Sequence, residues 1–255
     1  MRSVIHAELM ADLHNRLGII PNYESILEAG YRRLVGPGDV VLDIGAHAGR
    51  HTAAFADLVG PDGHVLAFEP LPEQRSHLQG LKLGRQVTVM AFALSDHSGA
   101  AEFVHAKGSP EESGLRQRIY NNPDLVHPER IAVEVMTVDQ VASIMGLTRV
   151  DFIKIDIEGG EIACLRGAAQ TIKRFRPFIS VEYGEPAYGP YGHTKQTLMT
   201  TATELGYVIG DLFGAVCAGP EEWEQVCDKA FWDYFLIPAE RVAEWQKRLN
   251  ATPHP

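Results

Sequence analysis

The stretch VVLDIGAHAGRHT, residues 40–52, constrains the fold most. An apolar run broken only by Asp43 ends in a turn carrying Gly45 and Gly49, and a helix start follows at once. Such a run is what a strand buried on both faces requires. The pattern then recurs: HVLAFE, VTVMAFAL, VDFIKIDI and FISVEY are apolar runs, alternating with helical spacing at 52–58, 72–83 and 160–173. Strands alternating with helices predict parallel βαβ units, hence a doubly wound α/β sheet.

The remaining segments decorate that sheet. Residues 1–35 read as helical, with a break at Pro21, and GPGD at 36–39 punctuates. GAAEFVHA and IAVEVMTV read as strands around a loop from Lys107 to Arg130 that holds three prolines and two glycines. So long a connection is expected to act as a lid or substrate loop. Its Arg116, Arg118 and Arg130 read as solvated charges of a mobile loop, with binding of an acidic acceptor as the alternative. After a Tyr/Gly/Pro loop at 184–193 come a helix near 195–205, strands at 206–213 and in AFWDYFLI, and a last helix over 239–250. No linker separates two cores. The expected organisation is an N-terminal helical cap, 1–35, on one domain, 36–255.

Composition narrows the function. With 23 Lys plus Arg against 33 Asp plus Glu, the net charge is -10, which repels phosphate backbones and disfavours nucleic acid as a partner. Cys164, Cys217 and Cys227 form no C-x-x-C pair, so they read as buried thiols. The N-terminus lacks a signal-peptide core, and no stretch reaches the ~20 apolar residues of a membrane span. A cytoplasmic protein with no membrane partner is expected. The cap helices and the last strand offer a surface for a homodimer.

The turn after the first strand chooses between ligands. The dinucleotide fingerprint G-x-G-x-x-G, counted from Gly45, meets His47 and Arg50 instead of glycines. The pattern present is D-x-G-x-x-x-G, which puts the Asp43 carboxylate at the strand tip. A pyrophosphate is repelled there, and the cationic end of S-adenosylmethionine is attracted. Gly45, Ala46, His47 and Gly49 then form the turn around the donor. Glu69 ends the next strand, where a carboxylate accepts ribose hydroxyls. Ser95 and Asp96 follow the third, where adenine is read. A nicotinamide oxidoreductase and a non-catalytic binding domain are the alternatives.

The motifs DIGAHAGRHT, FEP, ALSDHSG, VDFIKIDIEGGEIACLRGA and ISVEYGE, spread over residues 40 to about 185, resemble the FkbM-type family of class I S-adenosylmethionine-dependent methyltransferases. The resemblance implies a Rossmann-like sheet and O-methylation, commonly of sugar or polyketide hydroxyls. The anomeric hydroxyl of a short mannoside is one such acceptor. His47 departs from the family, which usually has a small polar residue such as Asn there.

A sugar hydroxyl stays protonated at neutral pH, so its methylation needs a base or a metal. Asp156 and Glu182 end adjacent strands beside the donor. Two such carboxylates suit Mg²⁺ gripping a sugar diol, or direct proton abstraction by one of them. Glu158 and Glu161 read as caps of the following helix. In YGEPAYGPYGHTK, Tyr183, Tyr188 and Tyr191 offer faces for a sugar ring. His193 is a candidate base or third metal ligand. His51 reads as structural.

Overall fold

The computed structural model describes residues 1–251. Two helices come first, α1 (Arg2–Leu17) and α2 (Tyr23–Tyr31). Gly18 closes α1 in the left-handed region, and Asn22 caps α2 by accepting from the Ser25 N–H. The alternation read from the sequence then appears as β1 (Val40–Ile44), α3 (Arg50–Val59), β2 (His64–Phe68), α4 (Pro72–Gly80) and β3 (Val87–Met90). An excursion follows: β4 (Phe92–Leu94), β5 (Gly99–Lys107), β6 (His127–Met136) and α5 (Val138–Ile144). The main sheet resumes with β7 (Phe152–Ile155), α6 (Glu161–Gly167), α7 (Ala169–Phe175) and β8 (Phe178–Glu182). The chain ends through α8 (Glu185–Tyr188), α9 (Lys195–Glu204), β9 (Tyr207–Gly210), α10 (Pro220–Val226), β10 (Asp233–Pro238) and α11 (Val242–Leu249).

The main sheet has the order β3-β2-β1-β7-β8-β10-β9. Its first five strands are parallel, and β10 runs antiparallel between β8 and β9. This is the class I, Rossmann-like arrangement. Successive residues of β1, β7 and β8 are buried alike, because helices cover both faces. The chain turns outward in both directions from β1, so a crevice opens at the carboxyl ends of β1 and β7.

The cap is not a separate body. Ala7, Leu27 and Tyr31 belong to the same apolar core as Val41, Phe152 and Phe235. VTVMAFAL is two strands rather than one: Ala91 is exposed, and the chain crosses there from the main sheet into a second sheet of order β4-β6-β5. The 160–173 helix is likewise two, α6 and α7. The 107–130 loop is shorter than its composition suggests, because β5 and β6 pair antiparallel as far as Lys107 and His127. What remains folds back over the crevice, with Gly114 bridged to Val104. Among the described residues, no helix is long and apolar enough to cross a membrane.

Candidate active site

A cavity of about 410 Å³ fills the crevice, within the usual range for a small-molecule site. Its donor side is built on the turn after β1. Gly45 has φ +84°, and a Cβ there would collide with the Asp156 carbonyl oxygen. Glycine alone lets β1 and the end of β7 lie this close. His47 takes φ 46°, a left-handed conformation that Asn and His tolerate better than most residues. The substitution noted in the sequence therefore preserves the turn. The His47 Nε2 is buried without a partner, in a residue that lines the cavity.

Glu69 is 5% exposed, and its carboxylate accepts from the His47 and Leu71 N–H groups at 2.8 Å each. Burial pushes its pKa up to about 7 against the pull of these bonds. Lone pairs remain on both oxygens for ribose hydroxyls. Beside it Leu71, Ala93, Leu94, Phe103 and Leu115 make an apolar corner of the cavity, the right chemistry for an adenine ring. Phe103 and Leu115 come from the inserted ribbon and its lid. Together these residues fit a nucleoside donor.

Four expected donor contacts lie elsewhere. Asp43 is fully buried behind the turn, where it accepts from the Thr52 hydroxyl at 2.5 Å, and it does not line the cavity. Gly49 opens α3, and a Cβ there would overlap Leu78 of α4, so its smallness serves helix packing. Ser95 is buried with its backbone against Gly167, and Asp96 is exposed and bonded to His97 at 2.9 Å. Neither lines the cavity, because the chain has by then entered the second sheet. Gly45, Ala46, His47 and Glu69 do line it.

Asp156 and Glu182 meet on the other side, and Glu158 joins them: one oxygen from each lies within 4.8 Å of the others. The buried Lys154 ammonium donates to Asp156 at 2.7 Å. Burial works to raise the Asp156 pKa, but the Lys154 charge and hydrogen bonds from Lys154 and Glu182 hold it well below the usual carboxylate range. Glu182 is pushed well above that range by burial and by the Asp156 and Glu158 charges. Glu158 is raised too, through burial and Asp156, although Arg118 opposes the shift. Resting proton and negative charge are thus crowded at one point of the rim.

Several expectations need correction here. Glu158 is no helix cap: at φ 58° its backbone turns the side chain into the cavity. Glu161 is no cap either: it is the first residue of α6, and it accepts from the Ile157 and Gly159 N–H groups of the preceding loop at 3.2 and 3.0 Å. His193 does not line the cavity; it stacks at 6.4 Å on Tyr191 outside it. It is in place neither as a base nor as a metal ligand. Tyr183 and Tyr188 are buried in a mutual stack at 4.3 Å, with hydroxyls spent on the Thr194 carbonyl and Asp228. The aromatic face beside the carboxylates is that of Trp232, half-buried and cavity-lining.

Arg118 is no solvated charge. It is 5% exposed, its Nη1 donates to Glu158, and its Nη2 is buried without a partner. It ties the lid segment to the acidic rim. Glu24, from the cap, also lines the cavity and accepts from His51 at 2.6 Å. Only long-range packing brings Glu24, Arg118 and Trp232 here, so no local sequence signal marks them.

The Methyltransferase FkbM domain profile matches residues 43–209. The 2-O-methyltransferase NoeI of Sinorhizobium fredii is 27% identical, covering 58% of this chain and 65% of its own. The AMB antimetabolite synthetase AmbE of Pseudomonas aeruginosa is 32% identical over 51% of this chain and 8% of its own. The chain thus spans less than two thirds of these relatives. A solved FkbM methyltransferase from Methylobacillus flagellatus KT is 14% identical, with a TM-score of 0.49 over 89% of this chain and 47% of that one. Nothing in these matches supports the nicotinamide alternative. With its profile match over most of the chain, the protein belongs to the FkbM family of S-adenosylmethionine-dependent methyltransferases.

Proposed function

We propose that this enzyme methylates a hydroxyl of a sugar or related polyol. One observation carries the reading: the carboxylates of Asp156, Glu158 and Glu182 open into the same cavity as the donor turn. When bound, S-adenosylmethionine supplies a methyl group on a good leaving group, so positioning provides most of the acceleration. The protein must also take the acceptor's proton. Asp156, kept ionised by Lys154, accepts a hydrogen bond from the hydroxyl and orients it. Glu182, whose raised pKa makes its ionised form the stronger base, takes the proton as the oxygen bonds the methyl carbon and the carbon–sulfur bond breaks. Trp232 offers a flat apolar face to a sugar ring. NoeI, a 2-O-methyltransferase by name, supports transfer to oxygen.

Asp156, Glu158 and Glu182 would also hold Mg²⁺. Oxygen donors suit that ion, and the crowding that raises Glu158 and Glu182 is what a divalent cation relieves. It would lower the pKa of a coordinated hydroxyl. The finer reading is the anomeric hydroxyl of a short mannoside; a polyketide hydroxyl is the alternative. Labelled-methyl transfer from S-adenosylmethionine, screened over mannosides, other oligosaccharides, phenols and aliphatic polyketide alcohols, tests this. Label should appear on a saccharide oxygen, and label confined to the non-sugar alcohols would refute it.

A further inference from the structure

The donor carries an α-amino acid whose ammonium and carboxylate need partners in the cavity. Its ribose belongs on Glu69 at the tip of β2, and its methyl group must reach the carboxylates beyond β7. The amino-acid chain, joined to the same sulfur, must therefore lie near the turn that separates them. The cations lining the cavity include Lys154, Arg118 and Arg50. Lys154 is engaged by Asp156 at 2.7 Å, and Arg118 by Glu158. Arg50, directly after the turn, is loosely held: Glu24 and Glu28 approach it at 3.5 and 3.9 Å. A charge-assisted bond closes at about 2.7–2.9 Å, so its donors remain available.

Glu24 stands beside it with the opposite charge. His51 holds Glu24 Oε2 at 2.6 Å and is itself braced by the Tyr31 hydroxyl at 2.9 Å. The His51 hydrogen bond lowers the Glu24 pKa, with burial opposing, so the carboxylate is ionised at neutral pH. Its Oε1 accepts no hydrogen bond among the described residues, and the side chain is 42% exposed and lines the cavity. A carboxylate and a guanidinium side by side, one braced and one loose, match a zwitterion.

We propose that Glu24 and Arg50 bind the amino-acid end of the donor, Arg50 taking the carboxylate and Glu24 the ammonium. The N-terminal cap then contributes a donor-binding residue rather than only covering the sheet. The assignment rests on the donor the family uses, not on the acceptor proposed above.

Calorimetry on the full chain tests it with three probes. These are S-adenosylhomocysteine, its decarboxylated analogue, and 5′-methylthioadenosine, which lacks the amino-acid end. Arg50→Gln should weaken S-adenosylhomocysteine roughly tenfold, the low end for a charged hydrogen bond because Arg50 is 47% exposed. It should leave both other probes unchanged. Glu24→Gln should weaken S-adenosylhomocysteine and the decarboxylated analogue, and spare 5′-methylthioadenosine. The spared probe shows that each variant is folded. Unchanged S-adenosylhomocysteine affinity, or an equal loss for 5′-methylthioadenosine, would overturn the assignment.

Discussion

Glu69→Gln probes the donor site most sharply. In the wild-type protein burial sets the Glu69 pKa at about 7. Ribose hydroxyls donate to the carboxylate and favour its ionised form, so binding pulls this pKa down and releases a proton. Below pH 7 the free protein holds that proton, and binding must first remove it. The group is mostly protonated at pH 6 and mostly ionised at pH 8, so affinity should rise between them. In the wild type the His47 and Leu71 N–H groups each have their own Glu69 oxygen; glutamine keeps one acceptor oxygen and sets an NH₂ against the other N–H. One charge-assisted bond to ribose is lost, about 1.5–3 kcal/mol, or ten- to a hundredfold in affinity. The pH dependence should vanish with it. Calorimetry with S-adenosylhomocysteine at pH 6, 7 and 8 reads both effects. Glu69→Gln binding with wild-type affinity would refute the role given to Glu69.

Asp156→Asn leaves the buried Lys154 ammonium without its main counter-charge. It should cost about 3 kcal/mol in denaturant unfolding, the low end for a broken buried pair because Asp156 is 28% exposed. Methyl transfer should fall at least a hundredfold, and full turnover would remove Asp156 from the reaction. Gly45→Ala forces a Cβ against the Asp156 carbonyl and should abolish S-adenosylhomocysteine binding, whereas Gly36→Ala, with open space around it, should not. Wild-type affinity in Gly45→Ala would contradict the turn geometry. If the carboxylates hold Mg²⁺, EDTA should stop methyl transfer and added Mg²⁺ restore it. Full activity in excess EDTA would leave proton transfer to the side chains alone.

The parallel sheet was legible because β1, β2, β7 and β8 are apolar on both faces, and nothing but a covered sheet accepts such runs. The same continuity hid the break at Ala91: VTVMAFAL stays apolar although the chain changes sheets there. Asp96 was misplaced for that reason. Asp156 and Glu182 were legible as acids ending buried strands, where charge is costly without a task. Glu158 was not, because its direction depends on a left-handed backbone three residues beyond β7. Tyrosines and prolines in 183–191 look alike whether they face a ligand or a core; burial alone showed that Tyr183 and Tyr188 pack inward. Glu24, Arg118 and Trp232 lie far from the motifs in sequence and reach the cavity only through tertiary packing.

A crystal structure with S-adenosylhomocysteine bound puts the whole arrangement at stake. The expected result is both ribose hydroxyls on Glu69, with the sulfur turned toward Asp156 and Glu182. A ligand whose ribose avoids Glu69, or whose sulfur faces away from those two carboxylates, would contradict it.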